Sequence, residues 1–201
     1  MTIDFLPNGP EGAERTLILA HGAGAAMDSS FMEFLAERLG QRGMRVLRFE
    51  FPYMAKRRAD SSRRPPDREA VLLETWRQAV RECGAEQPFI GGKSMGGRMA
   101  SMVADEVGAS GLVCLGYPFH PPGQPAKTRT AHLESLRTPA LIVQGTSDAF
   151  GTRDDVAAYN LSNSIRIHWV EEGNHDLVAK GIGKSAGWES VVGVVAEFVL
   201  S

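Results

Sequence analysis

Cysteine is scarce in this chain: Cys83 and Cys114 are the only two among 201 residues. Two thiols cannot build a disulfide framework, so the fold must rest on buried apolar surface. Cys83 falls near a predicted helix end and Cys114 inside an apolar strand. Both read as reduced thiols, which fits a cytoplasmic protein. Long apolar runs are also missing, and none approaches the roughly 18 residues of a membrane span. Met1 to Pro10 carries neither the basic cluster nor the apolar core of a signal peptide. No charge of one sign dominates. The net charge is -2, so no nucleic acid or anionic membrane is expected as a partner. No His or Cys pair has metal-ligand spacing, so neither a metal nor another cofactor is expected. No internal repeat is present. What remains is 43% hydrophobic and 23% charged, an ordinary composition for one globular domain, residues 1–201, with a core of its own.

Short apolar runs alternate with helical patterns. The runs are Leu17–Ala20, Val46–Phe49, Pro88–Ile90, Leu112–Leu115, Ala140–Val143 and Ile165–Val170. Most are continuous, as strands covered on both faces of a parallel sheet should be. Ile165–Val170 alternates instead and reads as nearer an edge. Between the runs, Asp28 can cap a helix with Phe31, Phe34, Leu35 and Leu39 inward. Asp67 can cap another with Leu72, Trp76, Ala79 and Val80 inward. A third follows Met95, Thr152 opens a short one, and the last carries Trp188, Val191, Val192, Val195 and Phe198 on one stripe. The expectation is α/β: a doubly wound, mostly parallel sheet with helices on both faces. Its site should lie in the loops that follow strands. Lys56–Arg68 (KRRADSSRRPPDR) has no apolar period. It reads as a solvated basic loop on that side of the sheet, or else a rim or partial lid that attracts acidic substrates.

The strongest chemical signal is Gly92-Lys93-Ser94-Met95-Gly96. It is a G-x-S-x-G pattern between an apolar strand and a helix, the context a nucleophile elbow requires. The turn is tight, so its neighbours must lack a Cβ, and the serine stands where a helix N-terminus favours an oxyanion. A nucleophilic serine needs a base, and the base needs a carboxylate to orient it. In this order the acid precedes the histidine. His175, in the loop after the last strand, is the candidate base. His120 precedes every candidate acid, His132 reads as a surface residue, and His168 reads as structural within its strand. Asp148, in the turn after Ala140–Val143, is the candidate acid, because helix capping explains Asp154 and Asp155. The oxyanion donors should be the amides of Met95 and Ala23. Gly24 is the second choice for a donor and a wall of the substrate site. His21 should shape that loop rather than react.

These residues carry a family likeness. The segments Leu17–Gly24 (LILAHGAG), Phe49–Met54, Arg63–Arg68, Gly91–Ser101, Gly116–Gly123 and Val143–Gly151 resemble the α/β-hydrolase superfamily. Within it, the chain is similar to the small bacterial branch called dienelactone-hydrolase-like. That branch is related to a hydrolase-like subunit of the animal non-specific-lethal chromatin complex. The resemblance implies the same triad of Ser94, Asp148 and His175. It also implies that Phe51–Met54, with Tyr53, and Tyr117–Gly123, with Tyr117, Phe119 and His120, border the substrate pocket. Dienelactone hydrolases use a cysteine nucleophile, so their substrate is not carried over to a chain with Ser94. The expected activity is hydrolysis of small carboxylic esters or thioesters in an open site without a large cap domain. A non-catalytic interaction module on the same fold is the rival, and the intact, ordered Ser, Asp and His argue against it. A peptidase of this fold would need a substrate-selecting domain for which the chain has no room.

Overall fold

The computed structural model describes residues 2–201. Seven strands form one sheet in the order β1-β3-β2-β4-β5-β6-β7. They are β1 (Leu6–Asn8), β2 (Thr16–Ala20), β3 (Arg45–Phe49), β4 (Phe89–Lys93), β5 (Gly111–Leu115), β6 (Ala140–Gly145) and β7 (Ile165–Val170). Only β1 runs antiparallel, pairing Leu6 with Arg48 of β3. The other pairs are parallel. β2, β5 and β6 are buried along their whole length, which explains their unbroken apolar runs. β7 lies at the far edge and is only partly buried.

Six α-helices cover the sheet: α1 (Ser30–Gln41), α2 (Pro52–Asp60), α3 (Glu69–Glu82), α4 (Met95–Val103), α5 (Arg153–Ala157) and α6 (Lys184–Leu200). Each face of the sheet has its own core. On one face, Leu35 and Leu39 of α1 and Val191, Val192 and Val195 of α6 pack on Leu17, Val113 and Leu141. On the other, Trp76 of α3 and Met99 of α4 pack on Ile18, Ile90 and Ile142. The chain leaves β2 towards β3 on one side and later returns to β4 on the other. The carboxyl ends of β2 and β4, paired at Ala20 and Gly92, therefore flank the point where strand order reverses. A crevice opens there.

Several local expectations need correction. Residue 56 to residue 60 is not loop but the second half of α2. Its polar face is held by ion pairs rather than apolar contacts: Arg58 bridges Asp28 and Glu50, and Arg64 pairs with Asp60. Asp28 does not cap α1, because Ser29 holds that position and the Asp28 carboxylate is bound to Arg58. Asp67 does not cap α3, whose N-cap is Arg68. Its Oδ2 instead accepts from the Tyr53 amide at 2.8 Å, which satisfies a free N–H in the first turn of α2. Thr152 does open α5, in a reciprocal capping box with Asp155. Cys83 and Cys114 are both free and buried.

Candidate active site

Ser94 stands between β4 and α4 with φ 51° and ψ -115°, a left-handed backbone that a side chain adopts only under strain. Close packing enforces this turn. A Cβ on Gly92 would lie 2.2 Å from the Ala20 carbonyl oxygen, and one on Gly96 would lie 2.5 Å from it. β2 thus presses against both sides of the elbow, and only glycine fits. The Ser94 amide is anchored to the Leu115 carbonyl at 2.9 Å.

Three loops converge on this turn. His175, beyond β7, places Nε2 2.9 Å from Ser94 Oγ and Nδ1 2.8 Å from Asp148 Oδ2. Asp148, beyond β6, is fully buried. A buried carboxylate must be hydrogen-bonded, and Asp148 has further donors in the Phe150 amide at 2.9 Å and Gln144 Nε2 at 3.0 Å. Asp148 only accepts, so His175 Nδ1 carries the ring proton. Nε2 is then left to accept from the Ser94 hydroxyl. The structure brings together the three side chains that the sequence singled out.

The loop after β2 lies opposite. The amides of Ala23 and Met95 have no protein acceptor among the described residues, so both remain available as donors. His21 sets the direction of the first one. Its Nδ1 donates to the Gly22 carbonyl at 2.7 Å, while its Nε2 accepts from the Phe51 amide at 3.2 Å. In a trans peptide the C=O and N–H point opposite ways, so fixing the Gly22 carbonyl fixes the Ala23 N–H. Burial, partly offset by its backbone hydrogen bonds, holds the His21 pKa below the usual value, which keeps it neutral in this role. Tyr53 adds a hydrogen bond from its hydroxyl to the Ala23 carbonyl at 3.0 Å.

Two cavities meet at Ser94. The larger, about 510 Å³, is lined by Gly22 to Ala25, Phe31, Lys93, His175 and Trp188 among others. The smaller, about 380 Å³, includes Ala23, Leu72, Met95, Met99 and Pro118. Ser94 and Phe150 border both. Gly24 is in the wall of the larger, as expected. Tyr53, Tyr117, Phe119 and His120 line neither cavity; they are buried one layer behind. Tyr117 donates its hydroxyl proton to the Arg129 carbonyl at 2.9 Å, Phe119 packs against Gly151, and His120 faces Asp155. Of the segment from 117 to 123, Pro118 reaches a cavity. His132 is not a surface residue: Ser101 Oγ lies 2.8 Å from its Nε2, and burial pushes its pKa down to about 4.

Sequence reasoning missed three residues of this site. Phe150 packs against the His175 ring in a tilted arrangement with centroids 4.3 Å apart, and its proximity to Asp148 in the same turn was the available signal. Gln144 extends β6 beyond the apolar run; a polar residue at the carboxyl end of a buried strand was its signal. Lys93 lies inside the motif itself, and its Nζ donates to the His175 carbonyl at 2.7 Å.

Residues 13–199 match the model of a family described as "Alpha/beta hydrolase domain". Solved structures with this fold include a dienelactone hydrolase from Anabaena variabilis, 21% identical with a TM-score of 0.73 over 96% of this chain and 89% of that one. A monoacylglycerol lipase from Paleococcus ferrophilus is 15% identical with a TM-score of 0.73 over 98% and 99%. An α/β serine hydrolase without lid from Xanthomonas campestris is 16% identical with a TM-score of 0.68 over 98% and 86%. At such identities the likeness is one of fold. Among the described residues no added domain covers the crevice. On the match over most of its length, the chain belongs to the alpha/beta hydrolase family.

Proposed function

We propose that this chain is a serine hydrolase, a single domain that cleaves small carboxylic esters or thioesters through an acyl-enzyme. The observation that carries the reading is the unbroken hydrogen-bond chain from Ser94 Oγ through the His175 ring to buried Asp148. Ser94 Oγ attacks the substrate carbonyl carbon while His175 Nε2 takes its proton. The carbonyl oxygen gains charge beside the free Ala23 and Met95 amides. When the bond to the leaving group breaks, His175 returns the proton to the departing oxygen or sulfur. Water then repeats the sequence on the acyl-enzyme. Asp148 keeps the productive tautomer and stabilises the imidazolium. A proton donor must lie on the leaving group's side, so the larger cavity, which contains His175, takes that half. The smaller cavity, with Leu72 and Met99, takes the acyl half. The two buried thiols support a reducing, cytoplasmic setting.

A fluorophosphonate probe and p-nitrophenyl acetate test this reading. The wild type should be labelled and should turn over the ester. Ser94→Ala should lose labelling and up to roughly 10⁶-fold in kcat if the three groups act as a unit, with an unchanged circular dichroism spectrum. An unlabelled, inert wild type, or a Ser94→Ala variant as active as wild type, would overturn it.

A further inference from the structure

Lys93 is a partly buried cation that the reaction steps above do not use. Its Nζ reaches across 82 positions of sequence to the main-chain oxygen of His175, at 2.7 Å. No carboxylate pairs with it among the described residues. The charged groups around it are Asp148 beyond β6, Asp176 beside His175, and Lys184 of α6 in the wall of the same cavity. A methionine could fill this volume with no charge to desolvate. Retaining a lysine here disfavours folding, which calls for a compensating role.

The sheet supplies one. Ser94 follows β4 and His175 follows β7, with β5 and β6 lying between. Contact at 2.9 Å between their side chains therefore depends on how the distant histidine loop is held. Most of that loop's bonds run within itself or to its neighbours. Asn174 Oδ1 accepts from the Asp176 amide, the Gly173 carbonyl accepts from the Ser147 amide, and the Asp176 carbonyl accepts from Trp188 Nε1. Lys93 differs because it belongs to the nucleophile's own turn, one residue before Ser94. Its bond is direct from that turn to the main chain of the base.

We propose that Lys93 is a positioning residue that ties the nucleophile's turn to His175 and fixes the distance from the imidazole to Ser94 Oγ. The inference rests on the hydrolase reading of Ser94. The bond is charge-assisted and weakens when the ammonium loses its proton. Burial, opposed by the Asp176 and Asp148 carboxylates, brings the Lys93 pKa down to about 8, so that loss falls within an accessible pH range.

The test compares wild type with Lys93→Met for kcat, KM and Tm across the neutral and alkaline range. A displacement of the base by even 1 Å can cost about 100-fold, so kcat should fall roughly 10- to 100-fold while KM holds. Tm should stay level or rise, because a buried charge has been removed. The wild-type kcat should decline through about pH 8 as Lys93 is deprotonated, and Lys93→Met should lack that inflection. An unchanged kcat in the variant overturns the proposal. So does a kcat that falls only in step with Tm and keeps the alkaline inflection, since that describes a structural brace. An inert, unlabelled wild type overturns the reading of Ser94 and this proposal with it. An active wild type with an equally active variant overturns this proposal alone.

Discussion

Two serine–histidine pairs lie in this molecule at almost the same separation. Ser94 Oγ is 2.9 Å from His175 Nε2, and Ser101 Oγ is 2.8 Å from His132 Nε2. Their surroundings make them opposites. Ser101 sits in the regular backbone of α4 and gives its proton to the Arg98 carbonyl at 2.7 Å. It can therefore only accept from His132, whose Nε2 must carry the ring proton. Ser94 sits in strained backbone, and its proton goes to His175 because Asp148 holds the opposite tautomer. Ser101 is buried, whereas Ser94 borders two cavities. Proximity of hydroxyl and imidazole is thus not what makes a nucleophile. The direction of the hydrogen bond, set by a third group, and access for a substrate are.

The sharpest way to break this comparison is to remove the third group. Asp148→Asn should keep the fold and lose up to roughly 10⁴-fold in kcat, because an amide at this position favours the wrong tautomer of His175. His175→Ala should lose more, up to the level of Ser94→Ala. Ser101→Ala should leave ester turnover close to wild type. Steady-state kinetics on one p-nitrophenyl ester decide the matter. If Ser101→Ala silenced the protein and Asp148→Asn did not, the wrong pair would have been assigned the chemistry.

The two pairs also differ in how visible they were in the sequence. Ser94, Asp148 and His175 could be found because each sits in a loop after a strand, and strand runs such as Leu112–Leu115 are continuous enough to fix where those loops begin. The Ser101–His132 contact leaves no such trace, since it joins a helix position to a short 3₁₀ turn at Ala131–Leu133 through tertiary packing. α2 was hidden for a related reason. Beyond Met54 it turns charged residues outward, and its ion pairs with Asp28 and Glu50 have no sequence period. β1 has three residues, one of them proline, too few for any pattern. Tyr117, Phe119 and His120 follow β5 in the right place but turn inward, and a loop's position does not say which of its side chains face the cavity.

A smaller effect separates the two histidines by stability rather than activity. His132 has a folded pKa of about 4, below the usual histidine value of 6.5, mainly through burial and then the Arg98 charge. Below pH 6.5 the unfolded chain binds a proton that the folded protein refuses until about pH 4. Folding stability is therefore undiminished by His132 above pH 6.5 and is progressively lost as pH falls from there to about 4. The loss amounts to about 3 kcal/mol. His132→Gln should cost about 1 kcal/mol at neutral pH through its hydrogen bonds, yet flatten the acid decline. Urea unfolding at neutral and acid pH would expose this. Parallel declines for variant and wild type would show that His132 is not held neutral.

The smallest expected effect concerns charge near the mouth of the site. The segment from Lys56 to Arg68 is rich in cations, and steering of anionic esters would follow if those charges were free. Two of them are not: Arg58 is bound by Asp28 and Glu50, and Arg64 by Asp60. Arg57, which borders a shallow depression with Gly24, is one of those left to act on a substrate. Its field is screened over a Debye length of about 8 Å at physiological salt. An anionic ester should therefore exceed its neutral analogue in kcat/KM by no more than about 2- to 3-fold at low salt, with the preference vanishing at physiological salt. Arg57→Gln should remove most of it, whereas Arg64→Gln should not. Matched neutral and anionic p-nitrophenyl esters, measured at two ionic strengths, give the answer. A preference of about 10-fold or more that survives physiological salt would mean that the anion is held in direct contact, inside one of the two cavities rather than at their rim.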